Sequence, residues 1–164
     1  MQLSIPRVFL PFVLAAGIVL SGCGFHLRGQ IDVPPSLMRM HVKCDDIELV
    51  NDVEKSLKFS DIEIVDEGAE GAALLDLSAT TYEKEVNGTD SNGIATSYKL
   101  TYTVPYIVAD AEQEILQREK IHQNRTLSYD SADILLFERE EEYLLEEMRK
   151  DLVSQLLRRM SKIQ

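Results

Sequence analysis

Cysteine, histidine, serine and the carboxylates are the side chains here that could carry covalent, metal or acid–base chemistry, and their spacing decides which is open. The three histidines, His26, His41 and His122, stand far apart with no cysteine at metal-ligand spacing, so no metal site is predicted. A serine nucleophile would want a sharp strand-to-helix turn such as Gly-x-Ser-x-Gly, and the chain has none. Glu138, Glu140, Glu141, Glu142, Glu146 and Glu147 could be drawn as acid–base pairs, but a solvated helix N-terminus accounts for them. No enzyme and no cofactor are expected from these patterns. Of the two cysteines, Cys44 stands alone, whereas Cys23 follows directly on an apolar run. Covalent chemistry therefore points to the thiol of Cys23.

Residues 1–22 have the parts of a secretory signal: one basic side chain (Arg7), the apolar stretch Val8–Leu20, and the small pair Ser21-Gly22. The apolar run contains Pro11 and is well short of the roughly twenty residues that a spanning helix requires. Leu20-Ser21-Gly22-Cys23 resembles the bacterial lipoprotein box, in which the cysteine thiol is acylated and becomes the new N-terminus. Each buried methylene contributes about 0.8 kcal/mol and one chain alone holds only marginally, so several chains on one cysteine make a lasting anchor. Gly24, not Asp, follows the cysteine, which by resemblance to sorting preferences favours the outer membrane. Cleavage there would leave one domain's worth of chain.

The full chain carries a formal charge of −11, and removal of Arg7 makes the remainder one unit more negative. Such a chain suits neither nucleic acid nor charge-driven attraction to an anionic membrane. With Cys23 lipidated, Cys44 has no intramolecular partner, and the core must hold without a disulfide.

The elements that would present these residues are legible from periodicity. Residues 23–37, with Pro34-Pro35, read as an extended tether, and residues 38–164 as a single domain. Met38–Cys44 alternates as a first strand. Asp45-Asp46 caps a helix over Ile47–Lys58, whose Ile47, Val50, Val53 and Leu57 recur at helical spacing. A brief extended piece follows at Ile62–Val65. Leu75, Leu77, Ala79 and Thr81 then alternate with Asp76, Ser78, Thr80 and Tyr82. After the turn-rich Asn87–Gly93, Tyr98, Leu100, Tyr102, Val104, Tyr106 and Val108 take one face of a strand and Lys99, Thr101 and Thr103 the other, a hairpin pattern. Ile115–Leu127 alternates again, with Ile115, Ile121 and Leu127 inward and Arg118, Lys120 and His122 outward. Leu145, Met148, Leu152, Leu156 and Met160 form the stripe of a terminal helix over Phe137–Lys162. That helix would run about 39 Å and the strand Thr96–Ala109 about 46 Å, so one can lie along the other. The expected fold is α+β: a two-layer sandwich with two helices on one face of a four-stranded, mostly antiparallel sheet.

Behind the cysteine stands Cys-Gly-Phe-His-Leu-Arg-Gly, Cys23 to Gly29, which resembles the N-terminal signature of the LptE family, lipopolysaccharide-assembly lipoproteins of Gram-negative outer membranes. Val33–Val42, Ser97–Val108 and Glu140–Ile163 are similar to that family's first strand, hairpin return strand and terminal helix. The resemblance implies a lipoprotein that sits in one-to-one complex as a plug inside the β-barrel LptD. It implies that the protein helps that barrel assemble and takes part in delivering lipopolysaccharide to the outer leaflet, held by lipid at the periplasmic side. Direct lipopolysaccharide binding in the family is associated with basic residues at the hairpin tip and the start of the last helix. Here the tip has no Lys or Arg, and Arg139 is flanked by Glu138 and Glu140. The candidates for a basic patch are then Lys84, Lys99, Arg118 and Lys120, expected together on the outer sheet face. A stand-alone lipid- or lipopolysaccharide-binding lipoprotein is the alternative, and it would want a deep apolar cavity.

Overall fold

Asp46 opens the first helix. Its Oδ1 accepts the backbone N–H groups of Glu48 and Leu49, each at 3.0 Å, which satisfies two of the orphan donors of the first turn. In the computed structural model, which describes residues 31–129 and 134–163, helix α1 spans Ile47–Phe59 and buries Leu49, Val53 and Leu57. Strands β1 (Arg39–Lys43) and β2 (Glu63–Ile64) flank it, followed by β3 (Ala73–Asp76), β4 (Thr81–Thr89), β5 (Ala95–Ala109), β6 (Ile115–Ser128) and helix α2 (Ile134–Met160). The signal segment 1–22, Cys23 and the tether as far as Gln30 lie outside the described residues.

The six strands form one mixed sheet, not the four-stranded, mostly antiparallel one expected. β1 runs parallel to both β2 and β3, while β5 is antiparallel to β3, β4 and β6. β3 and β4 lie end to end along one side of β5: β3 faces Ile107–Ala109, and β4 faces Thr103 back to Ala95. The break between them is local chemistry. Asp76 Oδ1 accepts from the backbone N–H of Ser78 at 2.9 Å and from its hydroxyl at 2.5 Å, and the Thr80 hydroxyl donates to Leu77 O at 2.8 Å. These side chains offer the backbone a turn in place of ladder hydrogen bonds, so an alternating run that reads as one strand becomes two.

Both helices pack on one face. The shared core joins Leu49, Val53 and Leu57 of α1 and Met148, Leu152, Leu156 and Met160 of α2 to Met40, Leu75, Leu100, Val104, Tyr106, Ile121 and Leu127 of the sheet. Ion pairs stitch α2 to the sheet edge and to α1: Arg125–Asp151 at 2.5 Å, Arg149–Glu48 at 2.6 Å, and Arg159–Glu119. Two expectations shift. Ile115, predicted inward, is half exposed, because the β5–β6 register slips beside Ala109. The segment Ile31–Leu37, read as tether, packs onto the fold: Leu37 is fully buried in a short 3-10 turn, and Ile31 and Val33 lie against the core.

Candidate functional site

The four basic candidates do not share one surface. Lys84 stands opposite Leu100, which is fully buried on the helix side of the sheet, so Lys84 points toward the helices and not outward as expected. Its Nζ lies 2.8 Å from Glu141 Oε2, and 5.5 Å and 5.9 Å from the ring centres of Phe137 and Tyr98. The cause is the break at Leu77–Thr80. Because side chains alternate with period two, a one-residue slip sends every later residue to the opposite face. Tyr82, read as outward, is likewise inward: it faces Tyr102 and donates to Glu141 Oε1 at 2.8 Å. Burial, together with that carboxylate, pushes the Tyr82 phenol well above its ordinary range.

Lys99, Arg118 and Lys120 do occupy the outer face. Lys99 sits across from Glu85 on one side and Thr126 on the other. Arg118 faces Ile107 and Lys120 faces Pro105, so the two lie about 7 Å apart along β6, while Lys99 is about 20 Å from Pro105 along β5. Arg118 and Lys120 are thus a pair on the exposed edge strand, with His122 continuing the row and no acid directly opposite. Next to Ile107 in β3 is Asp76, whose carboxylate is 3.8 Å from Lys43 Nζ. Burial would raise the Asp76 carboxyl, but the hydrogen bonds from Ser78 and the charge of Lys43 hold it below the usual range.

A second surface had no place in the sequence reading. Ile134, Leu135 and Leu136 in the first turn of α2 are exposed at 56, 69 and 58 %; Tyr143 further along α2 and Val86 and Ile94 in the β4–β5 hairpin are exposed too, and Val86 stands opposite Tyr98, whose ring meets Phe137. Beneath them Tyr98, Tyr129 and Phe137 form a cluster of edge-on and tilted rings, with centroids 5.0–5.8 Å apart. The signal was available: four consecutive apolar residues, Ile134 to Phe137, cannot all face the core of a helix. At the hairpin tip, Asp90 Oδ1 accepts the backbone N–H groups of Asn92 and Ile94 at 2.8 Å each, so the one charge there shapes the turn.

Among the described residues, no group of His, Cys, Asp or Glu is arranged to hold a metal ion, and no helix is long and apolar enough to cross a membrane. The cavities include open grooves, one of about 650 Å³ between α1 and α2. Between sheet and helices, the inward side chains Leu75, Leu100, Val108, Ile121 and Met148 are all exposed by 1 % or less.

Fold and surface together define an α+β domain with two helices on one face of a mixed six-stranded sheet. The solution NMR structure of lipoprotein B from Nitrosomonas europaea superposes with a TM-score of 0.70 at 27 % identity, covering 84 % of this chain and 90 % of that one. The crystal structure of rare lipoprotein B from Shewanella oneidensis gives 0.65 at 27 % identity, covering 75 % and 93 %. Among curated relatives, the LPS-assembly lipoprotein LptE of Photorhabdus laumondii is 26 % identical over 157 residues, covering 94 % of this chain and 85 % of its own. The profile of the lipopolysaccharide-assembly family LptE matches residues 43–160. The chain belongs to the LptE family.

Proposed function

We propose that this protein is an outer-membrane lipoprotein, acylated at Cys23 after removal of residues 1–22, that occupies the lumen of the LptD β-barrel at one-to-one stoichiometry. Within that complex it supports assembly of the barrel and passage of lipopolysaccharide to the outer leaflet. The observation that carries this reading, beyond family membership, is the filled interior between sheet and helices. A stand-alone carrier must enclose acyl chains, whereas here the capacity for interaction lies on the surfaces. The end that exposes Ile134, Leu135 and Leu136 and the hairpin's Val86 is the part that the barrel would complete, since large exposed apolar side chains gathered at one end of a domain suit an interaction site. Arg118 and Lys120 are the strongest candidates for contact with lipid phosphates. Lys99 has Glu85 as a competing neighbour, and Lys84 is engaged by Glu141 beneath α2.

The test is purification in mild detergent from the native outer membrane, with an affinity tag after Gln164. Recovery of a large, heat-modifiable barrel in equimolar amount is expected. Recovery of the lipoprotein alone with lipid bound would reject the plug and favour a carrier.

A further inference from the structure

An edge strand turns a row of backbone N–H and C=O groups away from its one neighbour, and folds blunt such rows with short strands, bulges or inward-pointing charges. Two edge strands here are blunted in this way. β2 is two residues long, and β4 carries the inward-pointing Lys84 and register shifts between Val86 and Thr89. β6 is different. It runs for 14 residues without proline or glycine, and among the described residues it pairs with β5 alone. Its register is unbroken from Ser128 to Gln117. The inward charges Glu119 and Arg125 are taken by Arg159 and Asp151 of α2.

The phase of the ladder decides which residues face the open side. Thr96 and Tyr129 stand opposite each other, one step beyond the Ser97–Ser128 pair, and the Tyr129 N–H donates to Thr96 O at 2.9 Å. Hydrogen-bonded pairs alternate along an antiparallel ladder. The odd-numbered residues from Gln117 to Leu127 therefore bond to β5, and Arg118, Lys120, His122, Asn124 and Thr126 turn their N–H and C=O groups to the edge. In keeping with that phase, the Arg125 guanidinium donates to Asn124 O at 3.1 Å, which leaves Arg118–His122 as the open stretch. The side chains of Arg118, Lys120 and His122 are exposed on the outer face, across from Ile107, Pro105 and Thr103. In a chain of formal charge −11 they make a local basic row.

We propose that Arg118–His122 is a docking edge for an extended acidic segment of a partner polypeptide, which adds antiparallel to β6 with carboxylates opposite Arg118 and Lys120. Backbone pairing supplies the attachment, and alternate side chains supply the selectivity. Opposite charges facing across a strand pair stabilise it, and like charges oppose it. The same rule disfavours a second copy, since antiparallel β6 strands centred on residue 119 or 120 set Arg118 against Lys120, or Lys120 against itself. The inference goes beyond the plug and asks nothing of the barrel. Carboxylates seated here and lipid phosphates would exclude one another from Arg118 and Lys120.

The test uses the full protein in detergent and a fluorescent peptide, Thr-Glu-Val-Glu-Val-Glu-Thr. Its controls are the lysine counterpart and a form N-methylated at the glutamate amides, which keeps the charge and blocks the pairing. By anisotropy, the acidic peptide should bind at least tenfold tighter than either control. Lys120→Glu should lower its affinity at least tenfold and raise that of the lysine peptide. An N-methylated peptide that binds as well as the parent, or binding indifferent to Lys120→Glu, would overturn the proposal. Residue-resolved amide exchange then locates the contact. The N–H groups of Arg118, Lys120 and His122 should exchange freely in the lipoprotein alone and slow at least tenfold at saturating peptide. Protection without peptide would overturn the proposal as well: in a dimer a second copy holds the edge, and in a monomer the protein's own chain does. Signals of Arg118 and Lys120 that move with dodecyl phosphate but not with the peptide would assign the pair to lipid phosphate and have the same effect.

Discussion

The two halves of strand β5 face different worlds. From Leu100 to Val108 every second residue is buried under the helices, with β6 along one side and, on the other, β4 as far as Thr103 and β3 from Ile107. From Ala95 to Lys99 no residue is buried, and the β4 strand beside it carries none either. One strand therefore passes from a finished two-layer core to a hairpin held by a few specific contacts: Lys84 on Glu141, Tyr82 on Glu141, and the rings of Tyr98, Tyr129 and Phe137. Burial supplies most of a domain's stability, at about 25 cal/mol per Å² of apolar surface. The core end is thus self-sufficient, while the hairpin end keeps apolar surface that a partner can cover.

The sharpest way to break the contrast is to remove the same kind of group from each end. Leu100→Ala should cost about 2–5 kcal/mol, because it empties a fully buried site on the core side. A fall of roughly 10 °C in Tm by circular dichroism is expected. Val86→Ala, on the exposed hairpin strand, should stay within about 0.5 kcal/mol. Similar costs at both positions would erase the distinction.

Next in size is the cap of α1. Asp46→Ala removes the acceptor for two backbone donors and for the Tyr102 hydroxyl, and about 1–2 kcal/mol should be lost in urea unfolding. Burial tends to raise the Asp46 carboxyl, but the hydrogen bonds from Tyr102, Leu49 and Glu48 and the nearby Arg149 charge hold it below its ordinary range. The folded state thus favours the ionised form. That contribution is complete above the unfolded value of about 3.9 and is lost as pH falls through the lowered folded value. Asp46→Asn should therefore flatten the acid limb of stability against pH; an unchanged limb would contradict the assignment.

At the hairpin end the expected stabilities are smaller. A Lys84→Met and Glu141→Gln cycle should show a coupling of no more than about 1 kcal/mol, weakened by salt, since both side chains are partly solvated. Smallest of all in stability, and largest in partnership, should be Leu135→Asp. Its Tm should match the parent's, because the side chain is 69 % exposed, while recovery of the barrel should fall several-fold. A normal yield of barrel would remove the hairpin end from the interface.

The sequence was most legible where burial enforces a period. The helix at Ile47–Phe59 was readable from its acid cap and apolar spacing, and the β4–β5 hairpin from alternation around two Asn-Gly pairs. Legibility failed where one polar side chain redirects the backbone. Asp76 captures Ser78, the strand breaks, and Lys84 lands on the face opposite to the one that simple alternation assigns. Parallel pairing of the two-residue β2 with β1 leaves almost no periodic trace either. The apolar turn at Ile134–Leu136 is visible in composition, but it lies off the periodic stripe of Leu145, Met148, Leu152, Leu156 and Met160 that packs on the core, so periodicity does not mark it.

The central claim, that the hairpin end is completed by the barrel while the core end stands alone, is tested most directly by amide hydrogen exchange. The isolated lipoprotein is compared with the detergent-purified complex. Amides of residues 82–98 and of the first turns of α2 should slow at least tenfold in the complex, with those of residues 49–57 and 104–108 unchanged. Protection confined to α1, or no difference at the hairpin end, would contradict the account.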